Sequence, residues 1–302
     1  MFGSFIAFLY HLEDTKMKDQ SNPYFLVIAL RVCPVLAKTA WGFSDKLELV
    51  RASCRSMRRA LDLVEERWKL KIILDGCPPS YRNMISSEFS DSSGVIQFID
   101  TMSIGNQATY SMQIDILLKE YEAEIVYFAE DDYIYAPEAF VAMLDWMRHK
   151  EVDFVTPLDH PDAYVVKAQG LASSIRISRF HHWREVDSTC LTFMTKAETL
   201  RRFERTFRYF ARYGEEGSQW LSFTQRAPYS IRIIARAVWL FLSRTNCHFG
   251  EIAPLCTWRR HLWALLFRRR CSLWCPIPSL AVHCSKDSIP PFTTKIIPSY
   301  VV

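Results

Sequence analysis

Three consecutive carboxylates, Glu130-Asp131-Asp132, follow directly on the apolar run Ile125 to Ala129. Carboxylates this close repel one another, and at a strand end water screens them only in part. A divalent cation removes that repulsion. Mg²⁺ or Mn²⁺ takes one or two carboxylates and completes its shell with diphosphate oxygens. The same triplet would also suit a solvated loop that caps the next helix, because carboxylates favour helix N-termini. The buried strand ahead of it tips the reading towards metal binding.

Other residues could work with the triplet. Asp75 ends the run Leu70 to Leu74 and precedes Gly76. A carboxylate there can accept from a base N–H or a ribose hydroxyl, although Asp-Gly is also a strong turn pair. His283 stands in Ala281-Val282-His283-Cys284. Imidazole is a fair ligand for Mn²⁺, but taken alone this residue reads as an ordinary core or surface histidine. Glu215 and Glu216 lie in a Tyr-Gly-Glu-Glu-Gly-Ser-Gln-Trp stretch that leads into a helix. Either could act as a general base towards a hydroxyl, or simply compensate the helix N-terminus. Asp187, just before Ser188, is the competing base.

The elements that must position these groups are legible in the first half. Tyr24 to Leu30, Leu70 to Leu74, Val95 to Ile99 and Ile125 to Ala129 are apolar runs of the kind that form doubly covered parallel strands. Asp153 to Thr156 opens another strand. Ser44 is a plausible N-cap. The residues Leu47, Val50, Cys54, Met57, Leu61, Val64 and Trp68 predict one face of a long amphipathic helix behind it. Tyr110, Ile114, Leu117, Leu118 and Tyr121 predict a second helix, and Pro137 opens a third. Alternation of strand and helix implies βαβ units. Ligands then bind beyond the strand carboxyl ends, where Asp75 and the triplet both stand. Later, Ser188 to Met194 reads as a strand, Leu200, Phe203, Phe207 and Phe210 as a helix face, and Ser218 to Thr224 as another helix.

Composition narrows the class. The chain has 302 residues, 49% hydrophobic and 23% charged, which suits a globular α/β protein. A net charge of +4 is too small to imply a nucleic-acid partner. The nine cysteines are odd in number and scattered, as in a reduced cytoplasmic chain. Cys271, Cys275, His283 and Cys284 match no standard zinc spacing. Met1 to Leu12 lacks the features of a signal peptide. No apolar run reaches the ~18–20 residues of a membrane span. P-loop, dinucleotide-binding, zinc-protease and nucleophile-elbow motifs are absent. With nine glycines, a diphosphate is better handled through a metal than by a glycine-rich cradle.

The opening YFLVIALRV, the strand ending in Asp75, the segment IVYFAEDDYIYAPEAF, the TCLTF stretch, the GEEGSQW loop and the late VHC together resemble the GT-A-fold, family-2-like glycosyltransferases. The resemblance spans Pro23 to Pro291 and is stronger before Thr156. It implies a Rossmann-type α/β fold: a mixed, mostly parallel sheet flanked by helices, with an irregular helical C-terminal region. It implies an N-terminal extension (1–22), a nucleotide-sugar-binding half (23–157), an acceptor-side half (158–230) and a basic aromatic tail region (231–302). By the same resemblance, Glu130 and Asp132 hold Mn²⁺ or Mg²⁺, joined by His283. Asp131 lies near the ribose or sugar, Asp75 contacts the base, and Arg31 and Cys33 line the nucleotide pocket. Glu216 is the best-fitting base, with Glu215 adjacent. The implied reaction moves a sugar from a nucleoside-diphosphate donor to a glycan or lipid-linked acceptor, with inversion. The chain departs from the pattern at Val32-Cys33-Pro34, where a more polar signature is usual, and at Glu215-Glu216, usually Glu-Asp. It has no Q-x-x-R-W motif, which argues against a processive synthase. Two rival readings are a sugar nucleotidyltransferase and a non-catalytic membrane-associated scaffold that keeps the fold.

Ile231 to Trp274 interleaves arginines, among them Arg268-Arg269-Arg270, with Trp239, Trp258, Trp263 and Trp274. That mixture suits either an anionic membrane surface, which would hold the chain peripherally, or an ordinary helical subdomain with a solvated basic face.

Overall fold

The run Leu26–Val32 forms strand β1, and every residue of it is buried. Leu26, Ile28, Leu30 and Val32 enter one core, while Val27 and Ala29 enter another on the opposite face. A strand covered on both sides needs an apolar side chain at nearly every position, which explains the unbroken run. The computed structural model describes residues 25–35, 42–168, 174–179, 181–244, 246–285 and 289. The expected N-terminal extension and the proline-rich stretch from Pro290 lie outside the described residues.

After β1 come α1 (Lys46–Leu61), β2 (Trp68–Asp75), α2 (Pro79–Glu88), β3 (Val95–Thr101), α3 (Asn106–Leu118), β4 (Ile125–Glu130) and β5 (Tyr133–Tyr135). The chain continues through α4 (Ala139–Met147), β6 (Phe154–Val155), α5 (Asp162–Val165), β7 (Ile175–Ile177), β8 (His182–Glu185), β9 (Phe193–Lys196) and α6 (Ala197–Tyr213). It closes with α7 (Glu216–Thr224), α8 (Arg226–Tyr229), α9 (Ile231–Leu242), α10 (Phe249–Phe267), β10 (Leu273–Ile277) and β11 (Ala281–His283).

One sheet holds nine strands in the order β3-β2-β1-β4-β9-β6-β10-β8-β7. Only β9 and β8 run against the others. The architecture is therefore the expected mixed, mostly parallel sheet flanked by helices. β5 and β11 form a separate antiparallel pair. One core packs α1, α2 and α4 on the sheet. The other is aromatic. Phe128, Phe193 and Phe207 stack, with Phe128 and Phe193 centroids 4.6 Å apart, and Trp220 meets Phe193 edge-on. Leu200, Phe203, Phe207 and Phe210 supply the buried face of α6, as their spacing predicts.

The differences from expectation are local. α1 is capped by Asp45, whose carboxylate accepts from the Glu48 N–H, rather than by Ser44. It stops at Leu61 rather than reaching Trp68. Trp68 keeps the helical spacing only because it too points into the core, as the first residue of β2. A Cβ on Gly94 would come within 2.3 Å of that indole, so the indole packs directly over the glycine backbone. Tyr121 lies beyond α3 and is exposed. The strand expected at Ser188 to Met194 is confined to Phe193–Lys196. Pro137 precedes α4 by two residues, and Glu138 occupies the N-cap position.

Candidate active site

β1 and β4 are parallel neighbours, but the chain leaves them in opposite directions across the sheet, β1 towards β2 and β4 towards β9. Such a switch point opens a crevice beyond the strand carboxyl ends. Arg31 and Glu130 are register partners at that end. The Arg31 guanidinium pairs with Glu130 Oε1 at 2.7 Å and donates to the Asn106 carbonyl at 2.9 Å and to the Asn106 side-chain oxygen. The Thr192 hydroxyl donates to the other Glu130 oxygen at 3.0 Å. Both carboxylate oxygens of Glu130 are thus engaged by the protein. Arg31 forms the floor between β1, β4 and the start of α3.

The next carboxylate turns the other way. Asp131 accepts from the Cys33 N–H at 2.9 Å and pairs with the Lys46 ammonium at 2.7 Å. Burial pushes the Asp131 carboxyl up to about 6, against the opposing pull of Lys46. Burial acts downward on Lys46, but Asp131 outweighs it and holds the ammonium above its ordinary value. The pair ties the end of β1 to the first residue of α1. Asp131, for which the resemblance implies a place near the ribose or sugar, is tied here to Lys46 and to the Cys33 backbone N–H.

Asp132 meets His283 because β5 and β11 pair. The register sets His283 opposite Tyr133, and the Cys284 N–H donates to the Asp132 carbonyl at 2.9 Å. His283 Nε2 then lies 3.1 Å from Asp132 Oδ2, with the ring stacked on Tyr133 at 4.8 Å. Burial acts against the imidazolium, but the Asp132 charge prevails and raises His283 well above its usual range. Burial likewise pushes Asp132 up, and the His283 charge overcomes it and holds the carboxyl below its ordinary value. Asp132 Oδ1 and His283 Nδ1 are enclosed and lack hydrogen-bond partners. An enclosed carboxylate oxygen without a partner is costly unless something else completes it.

Among the described residues no three His, Cys, Asp or Glu side chains converge as a ready-made metal cage. Cys271, Cys275, His283 and Cys284 form no such group among the described residues. The Asp132–His283 pair does fit a cation that keeps one or two protein ligands and takes the rest from substrate phosphates and water. Mixed imidazole and carboxylate donors favour Mn²⁺. The cation would displace the proton that His283 shares with Asp132.

Glu216 opens α7. Its Oε1 is enclosed and has no hydrogen-bond partner. Burial, reinforced by the nearby Glu130 charge, pushes its carboxyl up to about 8. His283 and Arg31 pull the same carboxyl the other way. Arg31–Glu130 and Asp132–His283 are joined at the end of β4, and Glu216 feels the charges of Glu130, His283 and Arg31. Glu215 points elsewhere, to Arg260 at 2.7 Å. Asp187 is fully buried and pairs with Arg226 at 2.9 Å, so it is not an accessible base. Asp75 is at the expected sheet edge but accepts from the Thr101 hydroxyl at 2.6 Å and from the Ile104 and Gly105 N–H groups at 2.7 and 2.8 Å. Its carboxylate shapes the loop before α3 rather than presenting itself to a base.

Several residues of the crevice carry no sequence signal. Cys190 and Thr192 come from the irregular stretch before β9. Cys190 is within hydrogen-bonding reach of His283, and burial pushes its thiol up to about 11. His160 and Asp162, after β6, are close enough for charge interaction with His283 and Glu216 respectively. Gln219 donates to the buried Tyr110 hydroxyl at 3.2 Å and locks α7 to α3. Only the pairing of distant strands brings these groups together.

No protein family and no curated protein matches the sequence. Solved structures do match in shape. The galactosyltransferase LgtC with donor and acceptor sugar analogues is 12% identical, covering 63% of this chain and 66% of its own length, with a TM-score of 0.40. TarS of S. aureus is 10% identical over 65% of this chain and 33% of its own, at 0.43. The 4-diphosphocytidyl-2C-methyl-D-erythritol synthase of Anaerococcus prevotii is 12% identical over 67% and 83%, at 0.38. The chain thus spans about two thirds of the length of LgtC. A galactosyltransferase and a 4-diphosphocytidyl-2C-methyl-D-erythritol synthase both stand among these neighbours.

Proposed function

We propose that this chain is a glycosyltransferase. It moves a sugar from a nucleoside-diphosphate sugar to an acceptor hydroxyl by direct displacement, with inversion at the anomeric carbon. The observation that carries this reading is the pair of enclosed, partnerless carboxylate oxygens in one crevice. Asp132 Oδ1 stands beside His283, and Glu216 Oε1 stands near Glu130. One is suited to a cation and the other to a proton.

Asp132 and His283 would hold Mn²⁺ or Mg²⁺, which when bound would supply positive charge toward the donor diphosphate. Glu216 accepts the acceptor's proton. A base works best when its pKa lies near the operating pH, and burial has moved Glu216 towards that range. Glu130, which the resemblance also implies as a ligand, is read here in a supporting role. Engaged by Arg31 and Thr192, it holds the floor and keeps the Glu216 carboxyl raised. The acceptor, glycan or lipid-linked, enters on the α7 side.

The test is a panel of nucleoside-diphosphate sugars with Mn²⁺, followed for release of nucleoside diphosphate and for transfer. Turnover that disappears in Asp132→Ala supports the reading. Formation of pyrophosphate from a nucleoside triphosphate and a sugar 1-phosphate, with no turnover of the diphosphate sugars, would replace it by nucleotidyl transfer.

A further inference from the structure

α9 is exposed along almost its whole outer side, and that side is apolar. Ile231, Val238, Trp239, Phe241 and Leu242 are 86%, 39%, 60%, 66% and 72% exposed. At 100° per residue they share one broad arc, opposite the buried Ile233, Ala237 and Leu240. A soluble helix normally turns such a face inward. A large exposed apolar patch marks an interaction site.

α10 folds back along α9. Arg236 pairs with Glu251 at 3.2 Å, and Leu240, Phe241 and Ile252 line one small cavity, which joins the end of α9 to the start of α10. The Tyr229 hydroxyl donates to the Leu265 carbonyl at 2.5 Å, and the Trp258 indole N–H to the Pro228 carbonyl at 2.7 Å, which joins the other ends. The far end of this hairpin is also apolar outside. Leu262, Trp263, Leu266 and Phe267 are 49%, 53%, 55% and 63% exposed.

The charge around these apolar faces has one sign. Between Ile231 and Arg270 the only acidic residue is Glu251, against eight arginines, and Glu251 is taken by Arg236. Arg232, Arg244 and Arg259 are exposed and form no ion pair among the described residues. A second copy of the chain fits this surface poorly, because a two-fold contact would set arginine against arginine. An anionic lipid surface fits both features: aromatic and aliphatic groups enter the acyl boundary while arginines meet headgroup phosphates. No helix among the described residues is long and apolar enough to cross a membrane, so the contact is with the surface.

We propose that the α9–α10 hairpin docks this protein on an anionic lipid bilayer through the outer face of α9 and the Leu262–Phe267 end of α10. The docking surface stands apart from the transfer reaction, although it adjoins the site. α10 packs on α7, and Arg260 holds Glu215, the neighbour of Glu216.

The test is co-sedimentation of the full chain with vesicles of phosphatidylcholine alone and of phosphatidylcholine with phosphatidylglycerol, at low and high salt. Binding should be at least about tenfold tighter to the anionic vesicles and should weaken with salt. The double variant Trp239→Ser/Leu242→Ser changes exposed side chains only and should lose about tenfold or more in vesicle binding with its melting midpoint kept. Arg232→Glu/Arg259→Glu should lose selectivity for the anionic vesicles. Three results would each overturn the proposal: no binding to anionic vesicles, equal and salt-insensitive binding to both kinds, or a lipid-free protein whose self-association is abolished by the apolar variant. None of these readouts depends on turnover, so the transfer reaction can fail while docking holds, or the reverse.

Discussion

Two clusters of buried charge lie in this molecule, and they are built on opposite plans. Around Arg226, the carboxylates of Asp187 and Glu185 are matched by guanidinium groups, with Arg270 reaching Glu185 at 3.0 Å. At the β1–β4 switch point, Asp132 and Glu216 each keep an enclosed oxygen that nothing accepts from or donates to. The first cluster holds α8 and β10 against β8. The second leaves polar atoms unsatisfied at a cost in stability, as sites of chemistry commonly do. Burial alone would have made Asp187 the better candidate for a perturbed base. Its partner removes it.

The comparison predicts opposite phenotypes. Glu216→Gln should cost about 10²–10⁴-fold in turnover with the fold intact, read by steady-state kinetics and a melting curve. Asp187→Ala should do the reverse. Breaking a buried pair costs about 3–5 kcal/mol, measured by denaturant unfolding, while turnover per folded molecule is kept. Equal loss of turnover in both variants would erase the distinction.

The raised Glu216 carboxyl sharpens it by pH. Its folded value is about 8 against an ordinary 4.5, so the folded state retains a proton that the unfolded state gives up. That contribution is fully present below the ordinary value and is lost as pH rises through about 8. The melting midpoint of Glu216→Gln should match wild type near pH 5 and exceed it by about 2–4 °C or more at pH 9. Activity of the wild type should rise over the same alkaline limb, since the base must be unprotonated to work.

The smallest effect belongs to Glu215. Its pair with Arg260 is partly exposed on both sides. Glu215→Gln should cost under about 1 kcal/mol and leave turnover near wild type, which a parallel assay beside Glu216→Gln would show.

What was legible in the sequence follows the range of the forces involved. β1 and β4 are covered on both faces and so apolar almost throughout, and β2 and β3 keep shorter apolar runs, so all four could be read locally, and the position of Glu130 to Asp132 came with them. The direction of each carboxylate could not. Glu130, Asp131 and Asp132 are consecutive, yet they face Arg31, Lys46 and His283, three partners from three elements. His283 reaches its place only through the β5–β11 register, set across 151 residues. Ser188 to Met194 looked like a strand because threonines alternate with apolar residues. In the fold Thr189 and Thr192 use their hydroxyls on Thr156 and Glu130 instead. The exposed side of α9 was visible as composition, but which residues stay outside depends on how α10 folds back.

Asp132 and His283 should bind a cation tightly only together with a nucleoside diphosphate. The direct measurement is the melting midpoint of wild type and Asp132→Ala with uridine, guanosine or cytidine diphosphate, each with and without Mn²⁺. A ligand specific to the folded state raises the midpoint by mass action, about 2.7 kcal/mol of stability at a hundredfold excess over Kd. At least one diphosphate should raise the wild-type midpoint with Mn²⁺ and far less without it, and Asp132→Ala should lose the increment. An equal rise in Asp132→Ala, or one indifferent to Mn²⁺, would contradict this.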